Sequence, residues 1–213
     1  MSVFFTRRGA PPSLGKQLSD YVEGDIVKIS ENGTPVEFYV AKHDYESGLN
    51  GAGRTLVVRK DCYGEQEWDS GNVNAYASST IDSWFNGTYK NLLDADIRAL
   101  IGTTKILYTP GNSNNTVGTL ERAIFALSLT ELGQSNRYAN TEGFPLPIAS
   151  TLRITTTDWW LRSPYTSGIH YVWGLFSDGD IIYDFCYYPL GARPAFTLPS
   201  TTKFDPDTNI IIG

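Results

Sequence analysis

Cysteine, histidine and methionine are scarce in this chain: two, two and one among 213 residues. Cys62 and Cys186 lie far apart without motif spacing, so free thiols are expected and a disulfide-dense scaffold is excluded. His43 and His170 are equally isolated and fit no metal-ligand spacing, so no metal is expected. With so few general bases, no Ser-His-Asp or Cys-His set can be assembled, and the chain is read as a non-enzyme with no catalytic residue and no cofactor. Basic clusters are missing too, apart from Arg7-Arg8. A net charge of −6 and a pI near 4.9 argue against an electrostatic nucleic-acid or anionic-membrane partner. No run approaches the roughly 18 apolar residues of a membrane span, and the first residues lack the apolar core of a signal peptide. The expected location is a host cytoplasm, or a virion assembled there and released by lysis.

What is present is aromatic. Hydrophobic residues make up 41% and aromatics 13%, enough to bury a substantial core. Residues 1–20 combine Gly9, Pro11, Pro12 and Ser13 in a stretch that can continue neither helix nor ladder, so an extended arm is expected. Its Val3, Phe4 and Phe5 would pack on their own domain or on another subunit. Asp25–Ile29 and Val36–Ala41 flank Asn32-Gly33, a hairpin signal, and Thr55–Arg59 reads as the third strand. Ile81, Trp84 and Phe85 share a helical face, with Ser78, Ser79 or Thr80 as cap and Gly87 as stop. A second helix carries Ile97, Leu100 and Ile101 between Asp94 and Gly102.

Thr103–Tyr108 returns as a strand, and Pro110–Asn115 is a loop. Arg122–Leu129 suits a strand or a helix; a strand running into a helical turn at 128–132 is favoured. Pro145 and Pro147 break any regular element within 133–157, which reads as a long surface loop. A final meander is expected at about 158–162, 169–176, 180–185 and 192–198, with a hairpin turn at Ser177–Asp180. Ile210-Ile211-Ile212 suggests a last strand or an interface contact. Three Asn-x-Thr triplets, at Asn32, Asn86 and Asn114, read as turns, and the acid pairs Glu65/Glu67 and Asp94/Asp96 as solvated or dipole-stabilising.

The chain is organised around residues 159–196. Trp159-Trp160-Leu161-Arg162-Ser163-Pro164 opens the stretch and Gly191-Ala192-Arg193-Pro194-Ala195-Phe196 closes it, each able to supply a buried aromatic strand. Between them Tyr165, Tyr171, Trp173, Phe176, Tyr183, Phe185, Tyr187 and Tyr188 alternate with Gly, Ser, Thr and Asp, the mixture of a paratope. An ordinary aromatic sheet core would also read this way. A count separates the two readings. Lys, Gln, Glu, Met and Trp occur 23 times in residues 1–163, yet between Pro164 and Phe196 only Trp173 belongs to that set. These are the amino acids that no codon ending in C or T encodes, as expected where Asn codons are randomised at their adenines.

The two anchors, together with Arg59-Lys60-Asp61, Asn72-Val73-Asn74 and Ser83-Trp84-Phe85-Asn86-Gly87-Thr88, resemble the phage-borne variable proteins of diversity-generating retroelements. The resemblance implies an α+β, C-type-lectin-like fold: mostly antiparallel strands, two helices packed on the sheet and long irregular loops. It implies a single domain over 21–213 with a variable region at 165–190. Formylglycine-generating enzymes share that fold but use paired cysteines in its C-terminal part, where this chain has only Cys186, so they are a poor functional guide.

Ligand contact is accordingly assigned to Tyr165, Gly168, Ile169, His170, Tyr171, Gly174, Leu175, Phe176, Asp178, Asp180, Ile182, Tyr183, Asp184, Phe185, Tyr187, Tyr188 and Leu190, all but Tyr165 taken as diversified. Trp159, Trp160, Arg162, Trp173, Arg193, Pro194 and Phe196 are assigned to the scaffold, since changing adenines alone cannot turn an Asn codon into Trp173. The expected function is a phage tail or receptor-binding protein for a bacterial surface protein or glycan, acting as a homo-oligomer, with trimers common in the resembled family. The alternative is a fixed-sequence carbohydrate-binding or structural tail module.

Overall fold

The computed structural model describes residues 15–212, so the expected packing of Val3, Phe4 and Phe5 lies outside the described residues. Strand β1 (Lys16–Gln17) and a single 3-10 turn at Leu18–Asp20 open the described part. These residues, read as the end of an arm, are instead built into the domain. Leu18 is fully buried, and β1 pairs with a strand near the C-terminus.

Strand β2 (Ile26–Glu31) buries Val27 and Ile29 in alternation and turns at Asn32-Gly33 into β3 (Thr34–Lys42). Both turn residues have positive φ, 49° and 75°, the geometry that matches the right-handed twist of a hairpin. A short helix α1 (Ser47–Asn50) precedes β4 (Arg54–Arg59), which is buried at its centre and pairs with β3. Strand β5 (Gly64–Glu67) then leaves this sheet for another.

Helix α2 (Thr80–Asn86) starts at Ser79, whose hydroxyl accepts the Asp82 amide at 3.2 Å, and ends at Gly87. Its Ile81 and Phe85 are buried, and its Asp82 accepts two bonds from the Arg122 Nε at 2.9 and 2.8 Å. Helix α3 (Ala95–Leu100) follows Asp94, but that carboxylate accepts the Gly33 amide at 3.3 Å rather than capping its own helix. Strands β6 (Thr104–Tyr108) and β7 (Gly118–Arg122) form a separate hairpin. The apolar stretch after Arg122 yields only a two-residue strand, β8 (Ile124–Phe125), before turns take over. Helix α4 (Ala149–Arg153) corrects the expectation of unbroken loop: it begins beyond Pro147, so no proline ring interrupts its bonds, and Leu152 pins it to the core.

Strands β9 (Trp159–Pro164), β10 (Tyr171–Leu175), β11 (Ile181–Phe185) and β12 (Pro189–Ala192) belong to one sheet, and β13 (Ala195–Pro199) to the other. Strands β14 (Lys203–Phe204) and β15 (Ile211–Ile212) close against β1, so the apolar tail is a strand. The first large sheet runs β2-β3-β4-β13-β8 and the second β11-β10-β9-β12-β5. Pairing between these strands is antiparallel except where β12 meets β9 at Gly191 and Trp159, and an isolated parallel bridge joins Lys28 to Ile210. The result is an α+β domain dominated by antiparallel sheet.

The expected four-strand meander is therefore broken: the chain changes sheets at Arg193-Pro194, and β12 intervenes. Gly191 permits the change, since a Cβ there would stand 2.6 Å from the Cys62 sulfur and 2.9 Å from the Asp158 carbonyl. No helix among the described residues is long and apolar enough to cross a membrane.

Candidate functional site

Both anchors become a buried frame. Trp159, Trp160, Arg162, Trp173, Arg193, Pro194 and Phe196 are all buried. Arg162, fully inaccessible, donates to the Glu131 carboxylate at 2.7 Å and to the Ala126 and Leu107 carbonyls at 2.9 and 3.0 Å. Glu131 also accepts from the Tyr45 hydroxyl and, at 2.8 Å, from the Ser128 amide, so the guanidinium and its partner are satisfied on several sides. Glu142, buried nearby, accepts from the Thr109 amide at 2.6 Å and from the Ser163 hydroxyl, and burial raises its pKa. Arg193 has no carboxylate partner among the described residues. It donates to the carbonyls of Arg59, Lys60 and Leu152 and lies 4.8 Å over the Trp159 ring, and burial lowers its pKa to about 10.

On this frame β10 and β11 form the outer end of the sheet, with β11 as the edge strand. Register places Tyr171 opposite Phe185 and Trp173 opposite Tyr183, and the 165–171 loop folds Tyr165 against them. Centroid distances of 4.7 Å for Tyr165–Tyr183, 4.5 Å for Tyr171–Phe185 and 5.4 Å for Phe185–Tyr187 make this one continuous array, extended by Tyr188. Trp173, 2% exposed, is its floor and donates its indole N–H to the Tyr138 carbonyl at 3.2 Å. Tyr183, Tyr187 and Tyr188 are 52%, 40% and 41% exposed, so aromatic faces and hydroxyls reach solvent together. Loss of hydration raises the Tyr165 pKa, and a hydrogen bond with Tyr188 raises that of Tyr187. Both phenols are thus neutral donors and acceptors at physiological pH.

A model of the DUF6273 family, described as a domain of unknown function, matches residues 52–200, well over half of the chain and inclusive of both anchors and the array. The chain belongs to the DUF6273 family. No curated protein and no solved structure matches it.

In this DUF6273 domain the sequence-assigned contact residues do not all share one surface. Tyr165, Tyr171, Tyr183, Phe185, Tyr187 and Tyr188 form the array. Gly168, Ile169 and His170 border it in the loop before β10, with Gly168 against the Tyr171 ring and the His170 Nδ1 2.6 Å from the Asn72 carbonyl oxygen. Phe176, Asp178 and Asp180 are exposed at the far hairpin turn. Ile182 and Asp184 alternate to the opposite face of β11, and half-buried Leu190 lies on β12, paired with Gln66 of β5.

Gly174 and Leu175 are corrections. Leu175 is fully buried, and a Cβ on Gly174 would stand 2.8 Å from the Trp159 carbonyl. Both residues are buried, so neither presents a side chain at the surface.

Sequence reasoning missed Arg137, Tyr138 and Asn74 as parts of the site. Tyr138 stacks 4.9 Å from Tyr165, and the exposed Arg137 guanidinium lies 4.5 Å from the Tyr138 ring. Asn74 is buried, and its Nδ2 lies 3.2, 2.7 and 2.9 Å from the carbonyls of Tyr165, Gly168 and Tyr171, fixing the loop that carries the array. Its Oδ1 accepts the Asn112 amide at 2.7 Å, tying in a second loop. Only the Asn72-Val73-Asn74 motif hinted at this role.

The remaining nucleophile candidates are occupied or inert. His43 places Nδ1 2.9 Å from the Thr55 hydroxyl and Nε2 2.8 Å from the Tyr21 carbonyl. Both cysteines are free, and burial pushes the Cys186 thiol up to about 12. No cluster of three or more metal-ligating side chains occurs among the described residues.

Proposed function

We propose that this DUF6273 domain is a ligand-binding protein of C-type-lectin-like fold, diversified by a retroelement across 165–190, that recognises a protein or glycan on a bacterial surface from a phage tail. The observation that carries this reading is the exposed aromatic array seated on a fully buried frame, within a stretch that lacks Lys, Gln, Glu and Met. Rigid tyrosines supply contact area at small entropic cost, while frame residues hold the backbone as the exposed ones change. An enzymatic role is not assigned, because the fixed chemistry of a reaction site would conflict with a changing surface. Self-association is part of the proposal: an edge strand bearing exposed aromatics favours a homo-oligomer, and several modest sites acting together raise avidity.

Reading the gene and its flanks tests this directly. The expected result is a nearby near-copy of the segment encoding 165–190, differing almost only where the copy has adenine; with no copy, and with codons ending freely in A or G, the reading fails. Light scattering on the purified chain checks the oligomer.

A second reading, a carbohydrate-binding module of fixed sequence, has its own support. Ser113, Asn115, Thr166, Ser167 and Gly168 line an uncharged polar cleft of about 260 Å³ beside the array. Binding of one defined glycan by family members with different 165–190 segments would favour it.

A further inference from the structure

Away from the array, Lys42, Asp44, Glu46, Leu49, Leu107 and Phe144 line an open cavity of about 370 Å³. Two of these residues hold a left-handed backbone, Asp44 at φ 49° and Glu46 at φ 47°, a conformation that non-glycine residues adopt at a cost and that clusters at functional sites. Asp44 has a local reason, since its carboxylate accepts the Gly53 amide at 2.7 Å. Glu46 opens α1, its carbonyl accepting the Leu49 and Asn50 amides at 2.8 and 2.9 Å. It is 6% exposed, its Oε1 is buried without a hydrogen-bond partner, and the Lys42 ammonium stands off at 3.8 Å.

The surroundings are short of positive charge. Glu46 and Glu131 converge on Gly143: a Cβ there would stand 3.4 Å from one carboxylate and 3.5 Å from the other. Glu131 is ion-paired with the buried Arg162 at 2.7 Å, and the Glu142 carboxylate is held by the Thr109 amide and the Ser163 hydroxyl. Two carboxylates, Asp44 and Glu46, thus line the cavity with one ammonium, the partly exposed Lys42, an imbalance that favours an incoming cation.

The walls indicate what kind of cation. Phe144 is 64% exposed at the rim, and the Lys42 Nζ lies 5.8 Å from its ring centroid and 5.9 Å from that of Tyr45, so an ammonium already rests in aromatic surroundings there. Leu49 and Leu107 offer apolar contact to a methylene chain. With no cluster of three metal-type ligands among the described residues, an organic cation fits better than a metal ion.

We propose that this cavity binds the ammonium group of a primary alkylamine, with Glu46 as its acceptor, Phe144 as its aromatic wall, and Lys42 displaced toward solvent. The amine is either a free diamine or the lysine side chain of a partner protein. Calorimetric titration of the full chain with putrescine, and separately with an N-acetylated, C-amidated lysine, tests the proposal and distinguishes the sources by which binds more tightly. Saturable binding is expected, weakened at least tenfold by Glu46→Gln and several-fold by Phe144→Ala, and unchanged by Tyr183→Ser on the aromatic array. Glu46→Gln replaces a buried carboxylate whose Oε1 has no hydrogen bond with a neutral amide of the same shape and is expected to fold. Should it not, Phe144→Ala at the exposed rim decides alone. Absence of saturation by either amine, or equal binding by the variants and the parent chain, overturns the proposal.

Discussion

Strands β9 and β11 belong to the same sheet, one strand apart, and both are rich in aromatics, yet they have opposite fates. All six residues of β9 are buried, whereas none of the five in β11 is. The two strands also differ in position. Strand β9 has β10 on one side and β12 on the other, while β11 has a neighbour on one side only. In β9 the Trp160 indole donates to the Gln66 carbonyl at 3.1 Å and Arg162 to an acid and several carbonyls, while the Trp159 indole N–H is buried without a hydrogen-bond partner. In β11 the Tyr183 ring stays half in water. Aromatic content alone therefore does not distinguish a buried strand from an exposed one.

The contrast can be broken most forcefully at Arg162. Arg162→Met would strand the buried Glu131 carboxylate without its guanidinium and is expected to cost about 3–5 kcal/mol, or to prevent folding, as read by urea denaturation. A small loss would mean that the frame is not held by this network. Next comes Cys186, directly after β11 but fully buried. Because burial holds its thiol at about 12, its thiolate fraction at pH 8 is expected to be roughly a thousandfold or more below that of an unfolded thiol. Alkylation followed by mass spectrometry should therefore modify Cys186 only on unfolding. The sign is fixed by the raised pKa: reaction should accelerate as pH climbs toward 12. Rapid labelling of the native protein at pH 8 would place the core boundary wrongly.

Gly174→Ala sharpens the comparison inside β10. Its new methyl would press on the Trp159 backbone, and a loss of about 1–3 kcal/mol is expected in the same denaturation assay. The smallest effect belongs to Tyr183→Ser, which should shift stability by less than about half a kcal/mol. A larger shift would make Tyr183 a structural residue after all.

Local chemistry was legible in the sequence; long-range pairing was not. Asn32-Gly33, Ser79 and Gly87 act through their own backbones, and each sits where its chemistry puts it. The switch of sheets at Arg193-Pro194 and the pairing of β12 with β5 join segments more than 100 residues apart, and no periodicity encodes them. The same limit explains the site. The tyrosines stand together because they are near in sequence and on one face, whereas Tyr138 and Asn74 arrive from loops. Gly174 and Leu175 looked no different from their neighbours, because burial at the inner end of β10 depends on what flanks it. Helix α4 went unseen because two prolines just upstream masked a short run that begins after them.

The Gly191–Trp159 bridge has one more consequence. It brings the end of the aromatic segment back beside its beginning, so residues 160–190 form a closed excursion whose two feet stand on adjacent strands. The entropy of closing such a loop grows only slowly with its length. Residues added at the hairpin tip, Ser177–Asp180, would therefore lengthen the excursion at small entropic cost without moving its feet.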